Sequence, residues 1–299
     1  MNTPAVHSRL SCLPLHSLRG LRTAGLVVPS LLLLGATGVS AQRLERHFKV
    51  DAHPIVTIHN PSGTITVRAW TKSDVMVVAN RAADQVEVDA EQNGNRVDIT
   101  SHLVNESIPQ AALRADYEIS VPQDAELQIH DDTGGVNVSN VSGDMNVETI
   151  GAGVDLQDAG GYLTVKTVDG AFQCMRCSGR IEVSSISGNL RFVDVHSPSV
   201  RAQTSNGNIV FNGEFMPNGT YRLKNYSGVI EVRFSPGDSF DLSASSLKGK
   251  VNNQAKLDPP AHHHFLPKFG NALFGTFNSG RAHVELSSFN GTINILKRD

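Results

Sequence analysis

From about Leu127 to Phe234 the apolar residues fall into one short phrase, G-x-h-x-h-x-x-h, in which h is apolar. It recurs every eight to ten residues: Gly143 with Met145, Val147 and Ile150; Gly161 with Leu163, Val165 and Val168; Gly170 with Phe172, Cys174 and Cys177; Gly179 with Ile181, Val183 and Ile186; Gly188 with Leu190, Phe192 and Val195; Gly219 with Tyr221, Leu223 and Tyr226. The h-x-h core has a period of two, which sends both apolar side chains to one face of a strand and the polar residue between them to the other. Each phrase therefore predicts a half-buried strand. The glycine ahead of it suits a corner, where positive φ or close backbone approach is needed.

Alternate phrases differ, and the difference sets the longer period. In every second one a small polar residue stands before the last apolar position: Thr149, Thr167, Ser185, Thr204 and Asn225, at intervals of 18, 18, 19 and 21 residues. Two strands and two corners of about 18–21 residues make one rung. A lone rung cannot bury its own apolar face, so rungs must stack, which is the logic of a solenoid. The expected fold is all-β, a β-helix-like β-solenoid. Stacking places Glu148 near Lys166 and Lys166 near Glu182, opposite charges on neighbouring strands. A row of hydroxyls could match a repetitive ligand such as a glycan, but short polar side chains at bends ordinarily satisfy backbone groups there, and this is how the row is read.

Between residues 42 and 124 strand-like runs fit the phrase less well: Val75 to Ala79, Val86 to Val88, Val97 to Ile99 and Tyr117 to Val121, with a hairpin turn expected at Gln92-Asn93-Gly94-Asn95. This region is expected to be an N-terminal β cap over an otherwise open first rung. The solenoid is expected to occupy residues 125–299, interrupted by an excursion over 252–279 that carries Phe265, Phe269, Phe274 and Phe277. These aromatics predict packing over an open end or a sheet face.

Residues 1–41 read as an export signal: Arg9, Arg19 and Arg22 without an acid, an apolar run from Ala24 to Leu34, and Val39-Ser40-Ala41 before an expected cleavage site. The run is shorter than the ~20 residues that span a bilayer, so no integral membrane segment is expected after cleavage. Removing those 41 residues takes the net charge from −3 to −6, and no basic patch with interleaved aromatics is present. Nucleic acid is therefore excluded as a partner. An exported location follows: periplasmic, cell-surface or secreted.

The chemistry-bearing residues form no reaction constellation. Cys174-Met175-Arg176-Cys177 is a C-x-x-C, and an exported protein makes a disulfide between Cys174 and Cys177 possible. A labile redox pair needs a helix N-terminus or clustered cations to lower a thiol pKa, and a zinc site needs two further ligands. Both cysteines also occupy the slots of Val165 and Val168 in the phrase before and of Val183 and Ile186 in the phrase after, which favours a structural role. His262-His263-His264 is read as surface loop, and His59, His130 and His196 as exposed corner residues. Asp131, Asp132, Asp155, Asp158, Asp169 and Asp194 supply acids beside the rungs, but none pairs into a distinguishable acid and base. Corner aspartate is ordinary turn chemistry. No catalytic residue, cofactor site or metal site is assigned.

The opening Ile58-His59-Asn60-Pro61-Ser62-Gly63-Thr64-Ile65-Thr66-Val67, the stretch Asp116-Tyr117-Glu118-Ile119-Ser120-Val121-Pro122 and the serial S-G-x-h or N-G-x-h corners resemble a family of bacterial exported β-strand-repeat proteins called “putative adhesins”. The resemblance covers roughly Val50 to Leu296. It implies a β-solenoid displayed outside the cytoplasm, and it brings no catalytic residues with it. The expected function is non-enzymatic: an adhesin, or a scaffold or interaction module of the cell envelope, whose partner is an envelope protein or a glycan. The alternatives are a carbohydrate-active β-helix enzyme, a polysaccharide lyase or hydrolase, and an envelope signalling partner.

Overall fold

The computed structural model describes residues 42–82, 85–104, 114–259 and 270–298, so the expected signal segment lies outside the described residues. Every regular element among them is a strand, and 22 strands join one sheet. The h-x-h residues are its interior. Val147, Val165 and Val183 pair in register on neighbouring strands and are 0–1% exposed.

The pairings run in two columns, which β2 (Ile55–Trp70) and β7 (Glu126–Ser139) both span. One column contains, in spatial order, β4 (Val86–Asn93), β5 (Arg96–Leu103), the first halves of β2 and β7, β8 (Met145–Thr149), β10 (Tyr162–Thr167), β12 (Ser178–Ser185), β14 (His196–Thr204), β16 (Thr220–Asn225), β21 (Ala282–Ser288), β18 (Phe240–Ser246) and β20 (Asn271–Phe277). The other contains β1 (Gln42–Lys49), β3 (Asp74–Arg81), β6 (Ala115–Pro122), the second halves of β2 and β7, β9 (Gly153–Gln157), β11 (Phe172–Met175), β13 (Leu190–Val193), β15 (Ile209–Asn212), β17 (Val229–Phe234), β22 (Thr292–Lys297) and β19 (Val251–Asn253). All of these pairings are parallel except β1–β3, β3–β6, β4–β5 and β18–β20. The β4–β5 hairpin turns at Gly94-Asn95, inside the tetrapeptide that predicted it.

Parallel strands need crossover connections, and here the crossover is the opposite column itself. Each corner from the first column to the second buries one small polar side chain. Asn60, Asp131, Thr149, Thr167, Ser185, Thr204, Asn225, Ser288 and Ser246 follow one another in register, all buried. Thr167 Oγ1 accepts the N–H of Gly170 at 2.9 Å, and the same three-residue bond recurs from Gly188 to Ser185 at 2.7 Å and from Gly291 to Ser288 at 2.8 Å. A donor left inside the bend by the change of direction is thereby satisfied, which is worth more than the bond's net ~1 kcal/mol because the unpaired alternative is costly. The glycine is required for space: a Cβ on Gly170 or Gly188 would overlap the carbonyl of the corner below it.

The phrase misleads at its last position. Ile150, Val168, Ile186 and Tyr226 follow the buried polar row and point outward, 42–55% exposed, whereas Cys177 and Val195 are fully buried. The two corner types turn opposite ways, so Cys177 is not equivalent to Val168 or Ile186. Its neighbours along the axis are Ala159 and Val195, through the bonds of Ser178 N–H to Ala159 and of His196 N–H to Cys177. The charge row also needs correcting. Lys166 reaches Glu148 at 3.0 Å, but its register partner on β12 is Ser184, and Glu182 instead accepts the Tyr162 hydroxyl at 3.1 Å.

Rungs are not stacked in chain order at either end. β5 and β6 pair in parallel outside β2, so the first regular rung is internal. At the other end β21 and β22 slot between β16–β17 and β18–β19. The last strand of the chain is thus paired on both sides. Within the excursion over 252–279, β20 is a strand whose Phe277 ring packs 5.0 Å from Phe234 and 5.2 Å from Phe240.

Deleting residues 280–299 removes the rung that joins two others, along with buried Val284, Leu286, Ile293 and Ile295. At ~1.5 kcal/mol or more per buried aliphatic side chain, the loss is on the order of 5 kcal/mol. Calorimetry should show a fall in Tm of ~10 °C or more, or loss of cooperative unfolding.

Candidate functional site

The largest concavity among the described residues lies at the β16–β21–β18–β20 end of the first column and encloses about 640 Å³. Its floor is a register row: Gln203, Lys224, Ser287, Ser245 and Ala272 stand side by side on five neighbouring strands, each one residue before the corner residue of its strand or facing it. These side chains point outward because the residues beside them, Asn225, Ser288 and Ser246, point in. One wall is aromatic. Tyr226 and Phe289 stack with centroids 4.6 Å apart and planes 6° from parallel, and Lys248 Nζ lies 5.0 Å over the Phe289 ring. Leu247 continues this wall, and Phe274 on β20 stands across the floor.

The groove is electropositive. Lys224 forms no ion pair among the described residues, and no carboxylate lines the cavity. In the next outward row, Arg201, Arg222 and Glu285 are in register, with Glu285 held by Arg222 at 3.1 Å. That leaves an excess of positive charge on a chain of net charge −3.

The residues singled out from the sequence are distributed differently. Asp158 is bound by Arg176 through two hydrogen bonds of 2.7 Å, which hold its carboxyl below the usual range and push the guanidinium up. Asp155 is an exposed outward residue of β9, while Asp169 and Asp194 are exposed at corners of different columns. His196 pairs with Glu214 at 3.1 Å. His59 and His130 are exposed and stack at 5.0 Å. His262, His263 and His264 lie outside the described residues. Cys174 and Cys177 are brought together as a disulfide with Cα atoms 6.0 Å apart, both wholly buried.

Asp131 is not a corner acid on the surface. It fills a slot of the buried polar row, where one oxygen takes the Asn60 amide at 3.3 Å and the other has no partner. Asn60 also donates to the Ala115 carbonyl at 3.2 Å and accepts from Ser101 at 2.7 Å. Burial, reinforced by the charge of Asp132, raises the Asp131 carboxyl to about 7, against a smaller lowering by Asn60. Elsewhere the nearest titrating perturbations are structural: burial lifts Tyr117 and Tyr221 to about 12.

The sequence gave no warning of the groove. Tyr226 was counted as an interior apolar position, and Phe289 is 63 residues away; only the intercalated last rung puts them together.

Two columns of mostly parallel strands, stacked by register and closed by short corners, define an all-β, solenoid-like protein. The chain belongs to the Toastrack DUF4097 family, whose model matches residues 55–296. Solved structures similar to it include a “putative adhesin” from Bacteroides fragilis, 13% identical, TM-score 0.43, aligned over 87% of this chain and 99% of that one. They also include a “putative cell adhesion protein” from Clostridium sporogenes, 11% identical, TM-score 0.26, aligned over 86% and 100% of the two chains. A comparison with curated proteins finds no match.

Two outcomes follow. A raised carboxyl pKa means the folded state binds the proton more tightly than the unfolded one. The contribution of Asp131 is therefore fully present below about pH 4 and is lost as pH rises through 7. Asp131→Asn, which places in this slot the residue type found at Asn60 and Asn225, should leave stability nearly unchanged at pH 4 and raise it by ~1 kcal/mol or more at pH 8; urea melts at both pH values read the difference. For the cysteines, whose neighbours along the axis are Phe192 for one and Ala159 and Val195 for the other, C174V/C177V should fold with a Tm within a few degrees of the parent. Thiol titration of the unreduced parent should find neither Cys174 nor Cys177 free.

Proposed function

We propose that this protein is an exported, non-enzymatic interaction module of the cell envelope, an adhesin or scaffold that binds through its outer strand faces. The observation that carries this reading is the division of labour between the two sides of each strand. Inward positions are taken up by packing, and the outward positions form long register rows of Arg, Lys, Glu, Asn, Gln and Ser. A rigid lattice of side chains at ~4.8 Å spacing displays a repeated pattern without needing a moving part. In this reading residues 1–41 are a cleaved signal, residues 42–124 form a cap in which antiparallel β1, β3 and β4 blunt one end, and rungs of 18–21 residues make up the rest. The Cys174–Cys177 disulfide would be structural and consistent with export.

Cells producing the full chain should carry it in the envelope fraction or medium, and protease added to intact cells separates surface display from a periplasmic location. Immobilised full chain should retain envelope material in a salt-sensitive manner. Recovery solely in the cytosol would overturn the location. Depolymerisation of a polysaccharide by the purified chain, lost on Asp155→Asn or Asp169→Asn, would overturn the non-enzymatic assignment.

A further inference from the structure

We infer that the groove over β16, β21, β18 and β20 is a binding site for an acidic saccharide, a glycan that carries uronate-type carboxylates; this rests on the interaction-module reading above and assigns its ligand. Three features of the groove converge on that chemistry.

The first is the wall. Tyr226 is 55% exposed, large and held flat against Phe289 at 6°, so its ring is ordered before anything binds. Its next neighbour along the corner row towards β14 is Ser205, a small residue between Ile186 and Tyr226 in a row otherwise made of large ones. The ring face on that side is left without a bulky cover. The C–H face of a pyranose, weakly positive at its hydrogens, fits the negative face of such a ring, and preorganisation keeps the entropic cost of binding low.

The second is the floor. Ser287 and Ser245 carry short hydroxyls in register, and Gln203 extends the row on the other side of Lys224. Hydroxyl and amide groups can each donate and accept, which matches the hydroxyls of a sugar better than an apolar or purely cationic ligand. Their short stems hold the floor below the level of Tyr226 and Phe274, giving a slot with an aromatic on each side rather than an open sheet face.

The third is charge. Lys224 stands in the floor without an ion-pair partner among the described residues, Lys248 lies over Phe289, and Arg201 and Arg222 flank the row against the single carboxylate of Glu285. A carboxylate on the ligand would complete Lys224 with a charge-assisted hydrogen bond. A neutral glycan leaves that cation unused, and a nucleic acid would be opposed by the net negative charge of the whole chain.

The test is calorimetric titration of the purified full chain with hexamers of galacturonate and of mannuronate, beside cellohexaose as a neutral hexamer and hexaglutamate as an acidic peptide. Binding of a uronate hexamer is expected with Kd on the order of 0.1–1 mM. It should weaken about tenfold in Tyr226→Ala. In Lys224→Gln it should weaken at least fivefold and lose most of its salt dependence. Tyr162→Ala, which removes an exposed tyrosine elsewhere on the same column, should change nothing. Thermal melts confirm that the variants remain folded, as both sites are solvent-facing. The inference is overturned if neither uronate hexamer binds, if cellohexaose or hexaglutamate binds as well as they do, or if Tyr226→Ala binds like the parent. In each of those cases retention of envelope material by the immobilised chain can still succeed, so failure of the ligand assignment is separable from failure of the module reading.

Discussion

The hydrogen bond from a corner glycine N–H to the small polar side chain three residues earlier is the contact on which this architecture depends. A parallel two-column stack must reverse its direction inside a few residues at every rung, and each reversal takes backbone groups out of the ladder while they are still buried. Thr167, Ser185, Ser246 and Ser288 accept those donors from Gly170, Gly188, Gly249 and Gly291. Because the polar side chain comes from the same turn, every corner is self-sufficient. The remaining inward positions are then free to be apolar, and Val, Leu, Ile and Phe fill them from one rung to the next.

The same row explains the two places where the chain departs from its own rule. Thr204 and Asn225 donate to carbonyls of the neighbouring corner, to Gly188 at 3.1 Å and Gly207 at 3.4 Å, so the row can bond along the axis as well as within a turn. Asp131 can do neither fully while ionised. Its slot was built for a donor or a neutral acceptor, and the carboxylate responds by holding its proton to a pH at which exposed acids are ionised.

Outward rows carry what distinguishes one stretch from another. Across most of the first column they alternate charge modestly, as in Glu148 and Lys166. At the end formed by β16, β21, β18 and β20 they change character, with serines replacing charges, an aromatic pair at the corner and cations without matching acids. That end is assembled from segments more than sixty residues apart, since Asn225 lies against Ser288 and Ser288 against Ser246.

Strand positions, the inward set of side chains and the role of the polar row were legible in the chain, because period-two alternation and a bend-forming hydroxyl are local facts. The hairpin at Gly94 was legible for the same reason. The sense of each corner was not: Val168 and Cys177 occupy the same place in the phrase, yet one turns to water and the other to the core, since burial is decided by which column a corner leaves. Nor did any local pattern announce that β21 and β22 insert between earlier rungs, or that Asp131 meets Asn60 across 71 residues. Alternation alone therefore determined that the protein is a stack of half-buried strands. Which rung lies against which was left to tertiary structure, because backbone ladders join any two complementary edges irrespective of their distance along the chain, and both the buried acid and the aromatic groove are products of that choice.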